Sequence, residues 1–217
     1  MELLLLSSSR TPAGYLTDYM PAIRDFIAGV RRAVFVPFAA VRLPWDEYAR
    51  RVQEAIGFQL HGVERLAHAD LVIVGGGNTF QLLRECRSRG LLEPMRKVPR
   101  YLGWSAGANL ACPTIKTTND MPIADPGGMD ALGLIPIQIN PHYLNVSVPN
   151  HHGETRDERL LEFVHANPAL PVIGLPEGDW LRVSGANIEL HGPHPAVWFE
   201  HGKEPAAVSA GRLGGSR

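Results

Sequence analysis

Residues Arg100–Cys112 read RYLGWSAGANLAC, a serine set among glycines and small residues where a short apolar strand gives way to a helix. In Gly103-Trp104-Ser105-Ala106-Gly107 the flanking glycines lack a Cβ. The chain can therefore turn sharply enough to hold the Ser105 hydroxyl at the strand tip in a strained conformation. This is the pattern of a nucleophile elbow, with the Ala106 N–H directed at the reacting carbonyl. A G-x-S-x-G string also arises as a plain Gly-rich turn, so the strand that precedes it is what favours the catalytic reading.

On either side of this unit, apolar runs bounded by turn signals alternate with segments of helical period. That alternation predicts an α/β fold of three layers, a mostly parallel sheet flanked by helices. The expected strands are Glu2–Ser7, Ala33–Phe38, Asp70–Val74, Tyr101–Trp104 and Val172–Leu175, whose Val, Ile and Leu content suits burial on both faces. The expected helices are Pro21–Val30, Pro44–Ile56, Thr79–Arg89 and Asp157–Asn167. Thr155 and Glu158 have the spacing of a capping box ahead of the last. After Trp180 short strands, Leu181–Val183 and Ile188–Leu190, flank a turn and predict a small antiparallel C-terminal edge. One domain is expected over residues 1–210, and the small, polar Gly211–Arg217 is expected to fray.

Composition narrows the function. With 45% hydrophobic and 20% charged residues the chain reads as an ordinary soluble protein, and a formal charge of −1 gives no reason to expect nucleic acid or an anionic membrane as partner. Leu3–Leu6 is too short for a signal sequence, and no later apolar run approaches membrane-spanning length. Cys86 and Cys112 form neither a C-x-x-C pair nor a disulfide framework, which points to a reducing cytoplasm.

A serine nucleophile needs a base, an acid to orient it and donors for the oxyanion. Gly75-Gly76-Gly77-Asn78 follows the apolar strand Leu71–Val74, so the N–H groups of Gly76 and Gly77, with that of Ala106, are candidate oxyanion donors, and Asn78 is a candidate substrate contact. A phosphate loop is the competing reading, but Phe80 stands where G-x-G-x-x-G needs a glycine and no G-K-[ST] follows. Among nine histidines, His142 stands out because Asn140-Pro141-His142 closes the apolar stretch Leu134–Ile139 and aims the ring from a strand end. His151 and His152 fall in a polar flap, Pro149–Gly153, and His191 and His194 flank a turn. No spacing supports a metal site, and no cofactor is expected. Asp120, in a polar patch after the elbow helix, and Glu177, at the end of a buried strand, compete as the orienting acid. With Glu177 the chain order is Ser, His, acid. With Asp120 it is Ser, acid, His, the α/β-hydrolase order.

The segments MELLLLS, VFVPFA, WDEY, IVGGGNTFQLL, GWSAGANLACPTIKTTNDMPI, INPHY, GETR and IGLPEGDW, spread from Met1 to about Trp198, resemble the peptidase E family of aspartyl dipeptidases, serine peptidase family S51. The resemblance implies a class I glutamine amidotransferase-like (flavodoxin-like) fold and a metal-independent serine peptidase that cleaves dipeptides with N-terminal α-linked aspartate. It also implies Ser105 as nucleophile, His142 as base, Glu177 of the LPEG motif as third member and Asp120 of the TTND motif as a further essential residue. The cysteine and His-x-Glu pair of the glutamine amidotransferases are absent, since Ser105 replaces the first and Tyr143-Leu144 follows His142. An aspartyl carboxylate calls for a bidentate cation, for which Arg156 is the candidate. The acid that does not orient His142 is then free to hold the α-ammonium. The expected partner is a small Asp-X peptide, and family analogy suggests a homodimer. Two rivals stand beside this reading: a related hydrolase of β-aspartyl, cyanophycin-type peptides, and a non-enzymatic binding domain on the same fold.

Overall fold

The computed structural model describes residues 1–146 and 153–213 of the chain. Strands form where the Val, Ile and Leu runs stand, and Glu2–Leu6, Ala33–Val36, Leu71–Val74 and Arg100–Trp104 are buried along nearly their whole length. They lie parallel in the order Glu2–Leu6, Arg100–Trp104, Leu71–Val74, Ala33–Val36, with the short Leu60–His61 beyond. Trp180–Ser184 pairs antiparallel with the other side of Glu2–Leu6, and Asn187–His191 and Gly211–Arg212 complete eight strands.

Alternating side chains place the two apolar cores on opposite faces of this sheet. Leu4, Leu6 and Phe35 pack on one side with Ile23 and Phe26 of the helix Met20–Ile27 and Val52 of the helix Trp45–Ile56. Leu3, Leu5, Val34 and Val36 face Leu82 and Leu83 of Thr79–Ser88 and Leu110 of Ala106–Ala111. The result is a mostly parallel α/β sheet covered by helices. The helix Arg156–Ala166 starts as its sequence dictates: Thr155 and Glu158 make both reciprocal bonds of a capping box.

Three features depart from the sequence pattern. Val172–Leu175 does not join the main sheet but pairs parallel with Gln138–Pro141 in a second, four-stranded sheet completed by Ala196–Phe199 and Ala206–Val208. Of the apolar run Leu134–Ile139 only its end, from Gln138, is in a strand. Gly211–Arg212, expected to fray, instead pairs with Leu190 and Glu189, and the Leu213 N–H donates to the Ile188 carbonyl. The reason is that Asn187–His191 would otherwise be an edge strand with unpaired backbone groups, which a few small residues can satisfy. Residues 214–217 lie outside the described residues.

The elbow helix lies so close to the sheet that a Cβ on Gly107 would sit 2.3 Å from the Val74 carbonyl oxygen. Gly107→Ala must therefore push helix and strand apart, and is expected to destabilise the fold by about 3 kcal/mol. Urea unfolding at constant m-value measures this, and a loss below about 0.5 kcal/mol would contradict the close packing.

Candidate active site

Ser105 leaves the strand Arg100–Trp104 with φ 52° and ψ −114°, a left-handed conformation that costs a non-glycine residue on the order of 1–3 kcal/mol. Its N–H is held by the Leu6 carbonyl at 3.1 Å, so the turn is fixed by the neighbouring strand and the hydroxyl points out of the sheet. His142 follows Pro141 at the end of a strand of the second sheet, and it too has a positive φ, 53°. Glu177 follows the adjacent strand Val172–Leu175. The three side chains meet across the junction of the sheets: His142 Nε2 lies 2.9 Å from Ser105 Oγ, and His142 Nδ1 lies 2.6 Å from Glu177 Oε1. With Nδ1 protonated toward the carboxylate, Nε2 is left as an acceptor for the serine hydroxyl.

Ser7, at the end of the strand Glu2–Leu6, joins the two sheets. Its fully buried hydroxyl donates to the Leu175 carbonyl at 2.7 Å and accepts from the His142 N–H at 2.8 Å. The Asp179 carbonyl takes the Ser7 N–H at 3.0 Å. Ser7 thus fixes the backbone on both sides of the imidazole and its carboxylate. Sequence reasoning ended the strand at this residue without assigning it a part. The available signal was its place at the C-terminal end of a central parallel strand, where ligand crevices form.

The glycine loop after Leu71–Val74 faces the elbow. Gly77 has φ 144°, and a Cβ there would meet the Ala39 carbonyl oxygen at 2.2 Å, so no other residue fits. Tyr48 braces the loop: its hydroxyl donates to the Gly76 carbonyl at 3.1 Å and accepts from Trp104 Nε1 at 3.1 Å. Burial raises the Tyr48 phenol above its ordinary pKa, which keeps it a neutral donor. Within the described residues the N–H groups of Gly76, Gly77 and Ala106 donate to no protein acceptor. Ser105, His142, Glu177 and Gly76 share a cleft of about 330 Å³ with Tyr15 and Arg10, two residues that sequence reasoning passed over.

Asp120 and Arg156 lie in an adjacent hollow of about 400 Å³ rather than at the imidazole. Asp120 Oδ2 accepts from the Thr79 N–H at 2.7 Å, from Thr79 Oγ1 at 2.6 Å and from Thr118 Oγ1 at 3.0 Å, a negative charge set at the N-terminus of the helix Thr79–Ser88. Arg156 Nη1 donates to Asn119 Oδ1 and, at 3.1 Å, to Asn140 Oδ1. Desolvation, aided by the charge of Arg159, lowers the Arg156 pKa from its ordinary value. The Asn78 side chain caps the same helix, Oδ1 accepting from the Gln81 N–H at 3.0 Å while Nδ2 donates to the Met121 carbonyl at 2.8 Å. His151 and His152 lie outside the described residues. His191 stacks on Trp180, and the His194 N–H donates to Asp179. Within the described residues no three His, Cys, Asp or Glu side chains converge on a metal position, and no helix is long and apolar enough to cross a membrane.

An imidazole held between a strained serine hydroxyl and a carboxylate is an arrangement for activating that hydroxyl against a carbonyl, and on this α/β sheet it defines a serine-type hydrolase. The chain belongs to peptidase family S51, whose family model matches residues 3–191. It is similar to the Peptidase E of Salmonella typhimurium (strain LT2), with 51% identity over 97% of this chain and 99% of the relative, and to that of Salmonella arizonae at 50% with the same coverage. A crystal structure of a Listeria monocytogenes EGD-e protein, provisionally assigned as a peptidase E, superposes with a TM-score of 0.62 at 22% identity over 89% of this chain and 98% of the other. A peptidase from an acI-B1 Actinobacterium gives 0.57 at 18% identity over 95% and 96%. These two share the fold.

Because Ser7 connects His142 to the Glu177 strand, Ser7→Ala should leave a buried N–H and carbonyl without their shared partner. The expected outcome is a stability loss of about 1–3 kcal/mol and a roughly tenfold fall in kcat at little-changed KM. A raised KM at unchanged kcat would mean that Ser7 does not position the imidazole.

Asp179, two residues beyond Glu177, is fully buried; Oδ1 accepts the His194 N–H at 3.2 Å, and Oδ2 has no partner within the described residues. Burial pushes its carboxyl up to about 6, against the smaller opposing effects of the His194 N–H and charge. The folded state therefore holds this proton where the unfolded chain has lost it. Its contribution to stability is present below about pH 4 and is lost as pH rises through about 6. Asp179→Asn should flatten the dependence of Tm on pH over that window and raise Tm at pH 7. Unaltered melting profiles would disprove the assignment.

Proposed function

We propose that this peptidase hydrolyses dipeptides with N-terminal α-linked aspartate through an acyl-enzyme on Ser105. The observation that carries the mechanism is the relay of 2.9 Å from Ser105 Oγ to His142 Nε2 and 2.6 Å from His142 Nδ1 to Glu177 Oε1. Ser105 Oγ attacks the carbonyl carbon of the aspartyl residue while His142 Nε2 takes the hydroxyl proton, and Glu177 stabilises the imidazolium. The Ala106 N–H, with those of Gly76 or Gly77, receives the oxyanion. Collapse breaks the C–N bond, the imidazolium returns its proton to the departing amine, and water deprotonated by His142 releases aspartate from Ser105.

The neighbouring hollow suits the aspartyl residue. Arg156 offers its remaining guanidinium donors to the β-carboxylate, and Asp120, whose Oδ2 is engaged with Thr79, offers its other oxygen to the α-ammonium. Arg156, flanked by Lys116 and Arg159, and the single carboxylate of Asp120 in the lining of this hollow suit the side chain and amine of an N-terminal aspartate. The name Peptidase E carried by relatives half identical in sequence supports the same substrate class. Two free, buried cysteines fit work in a reducing cytoplasm.

Kinetics on Asp-Leu, Asn-Leu, Glu-Leu and β-Asp-Leu test this. Asp-Leu should be the preferred substrate, and preference for the β-linked peptide would overturn the α-aspartyl assignment. Ser105→Ala should lower kcat by on the order of 10⁴ or more with the fold intact, and activity within tenfold of the unmodified enzyme would remove Ser105 from the mechanism. Glu177→Gln should lower kcat strongly at similar KM. Asp120→Asn should chiefly raise KM and weaken discrimination against the N-acetyl dipeptide. The reverse pattern would make Asp120 the orienting acid.

A further inference from the structure

An Asp-X dipeptide carries two carboxylates, the aspartyl β-carboxylate and the C-terminal carboxylate of the leaving residue, and Arg156 answers only the first. The cleft that holds Ser105, His142 and Glu177 contains a second cation. Arg10 is the only Arg or Lys lining it among the described residues. Its guanidinium makes no hydrogen bond or ion pair with a described residue, although its positive field reaches the Tyr15 phenol in the same cleft.

The backbone that carries Arg10 is tied to the relay. Arg10 pairs with Tyr15 in a short hairpin, and its carbonyl accepts the Ser8 hydroxyl at 2.9 Å. Ser8 Oγ in turn accepts from the Tyr19 hydroxyl at 2.9 Å, and Tyr19 Oη accepts the N–H of Gly178, the residue after Glu177, at 2.9 Å. A continuous chain of hydrogen bonds thus sets the hairpin on the Glu177 side of the imidazole. His142 must hand its proton to the departing amine, so the leaving residue lies on that side of Ser105. The aspartyl residue occupies the other side, toward Asp120 and Arg156. A cleft of about 330 Å³ has room for one short residue between Ser105 and the hairpin and little for a longer chain.

We propose that Arg10 determines specificity on the leaving side by binding the free C-terminal carboxylate of the dipeptide; this rests on the α-aspartyl dipeptidase reading given above. A guanidinium fork matches a carboxylate with two parallel charge-assisted hydrogen bonds, and a peptide that continues past the second residue presents no anion there. Arg10 and Arg156 then bracket the scissile bond, each reading one of the substrate's two carboxylates.

The test compares kcat/KM for Asp-Leu and Asp-Leu-amide, which differ only in the C-terminal charge, in the unmodified enzyme and in Arg10→Gln and Arg10→Lys. The unmodified enzyme should favour Asp-Leu by on the order of tenfold or more, chiefly through KM. That ratio should fall to within about twofold in Arg10→Gln and lie between in Arg10→Lys, which keeps the charge without the fork. An equal loss on both substrates in Arg10→Gln, or a shifted Asp-Leu to Asn-Leu preference at an unaltered acid-to-amide ratio, overturns the proposal. So does an unmodified enzyme indifferent to the amide. Absence of Asp-Leu hydrolysis by the unmodified enzyme overturns the dipeptidase reading and this proposal together, whereas an unchanged ratio in an active Arg10→Gln enzyme overturns only the role of Arg10.

Discussion

One buried hydroxyl carries the geometry on which this molecule depends. The relay takes its serine from the eight-stranded sheet and its histidine and carboxylate from the four-stranded one, and the two sheets share no strand. Ser7 supplies the missing link, donating to the Leu175 carbonyl and accepting from the His142 N–H. A hydroxyl suits the position because one oxygen can donate and accept at once: it pairs the His142 N–H and adds a second donor to the Leu175 carbonyl, which also accepts the Tyr143 N–H at 3.0 Å. The imidazole is then oriented by backbone on one side and by Glu177 on the other.

The strain at Ser105 and His142 is sustained by the same rigidity. Both residues have positive φ, which a flexible turn would relax. Here the Leu6 carbonyl fixes the Ser105 N–H, Ser7 fixes that of His142, and the elbow helix is pressed against Val74 at Gly107. Close packing of small residues keeps the hydroxyl at a defined height above the sheet. The glycine loop, braced by Tyr48 through the Gly76 carbonyl, lines the same cleft.

Charge is divided around this centre. Asp120 shares the hollow on one side with Lys116, Arg156 and Arg159, while among the described residues Arg10 is the only Arg or Lys lining the relay's own cleft. Asp120 also stabilises the N-terminus of the helix that follows the glycine loop, through Thr79. A carboxylate placed there therefore serves the fold whatever else it binds, and its presence in the sequence did not by itself distinguish capping from catalysis.

Local chemistry accounts for what was legible in the sequence. The elbow around Ser105, the buried strands and the capping box at Thr155 and Glu158 are each set by residues within a few positions of one another, so spacing alone determines them. Whether Glu177 or Asp120 faces His142 is different, because both follow apolar or polar segments of equal promise. The choice depends on Val172–Leu175 pairing with Gln138–Pro141, a contact between segments far apart in the chain. The same holds for Ser7, whose partners lie 135 and 168 residues away, for Asn78, whose Nδ2 donates to the Met121 carbonyl 43 residues on, and for Gly211–Arg212, which finds an open strand. The sequence by itself determined the α/β class, the strained serine and the glycine loop, since short-range sterics and hydrophobic periodicity dictate them. Only the tertiary structure decided which carboxylate meets the imidazole and which arginine enters the cleft, because those are set by how the two sheets pack.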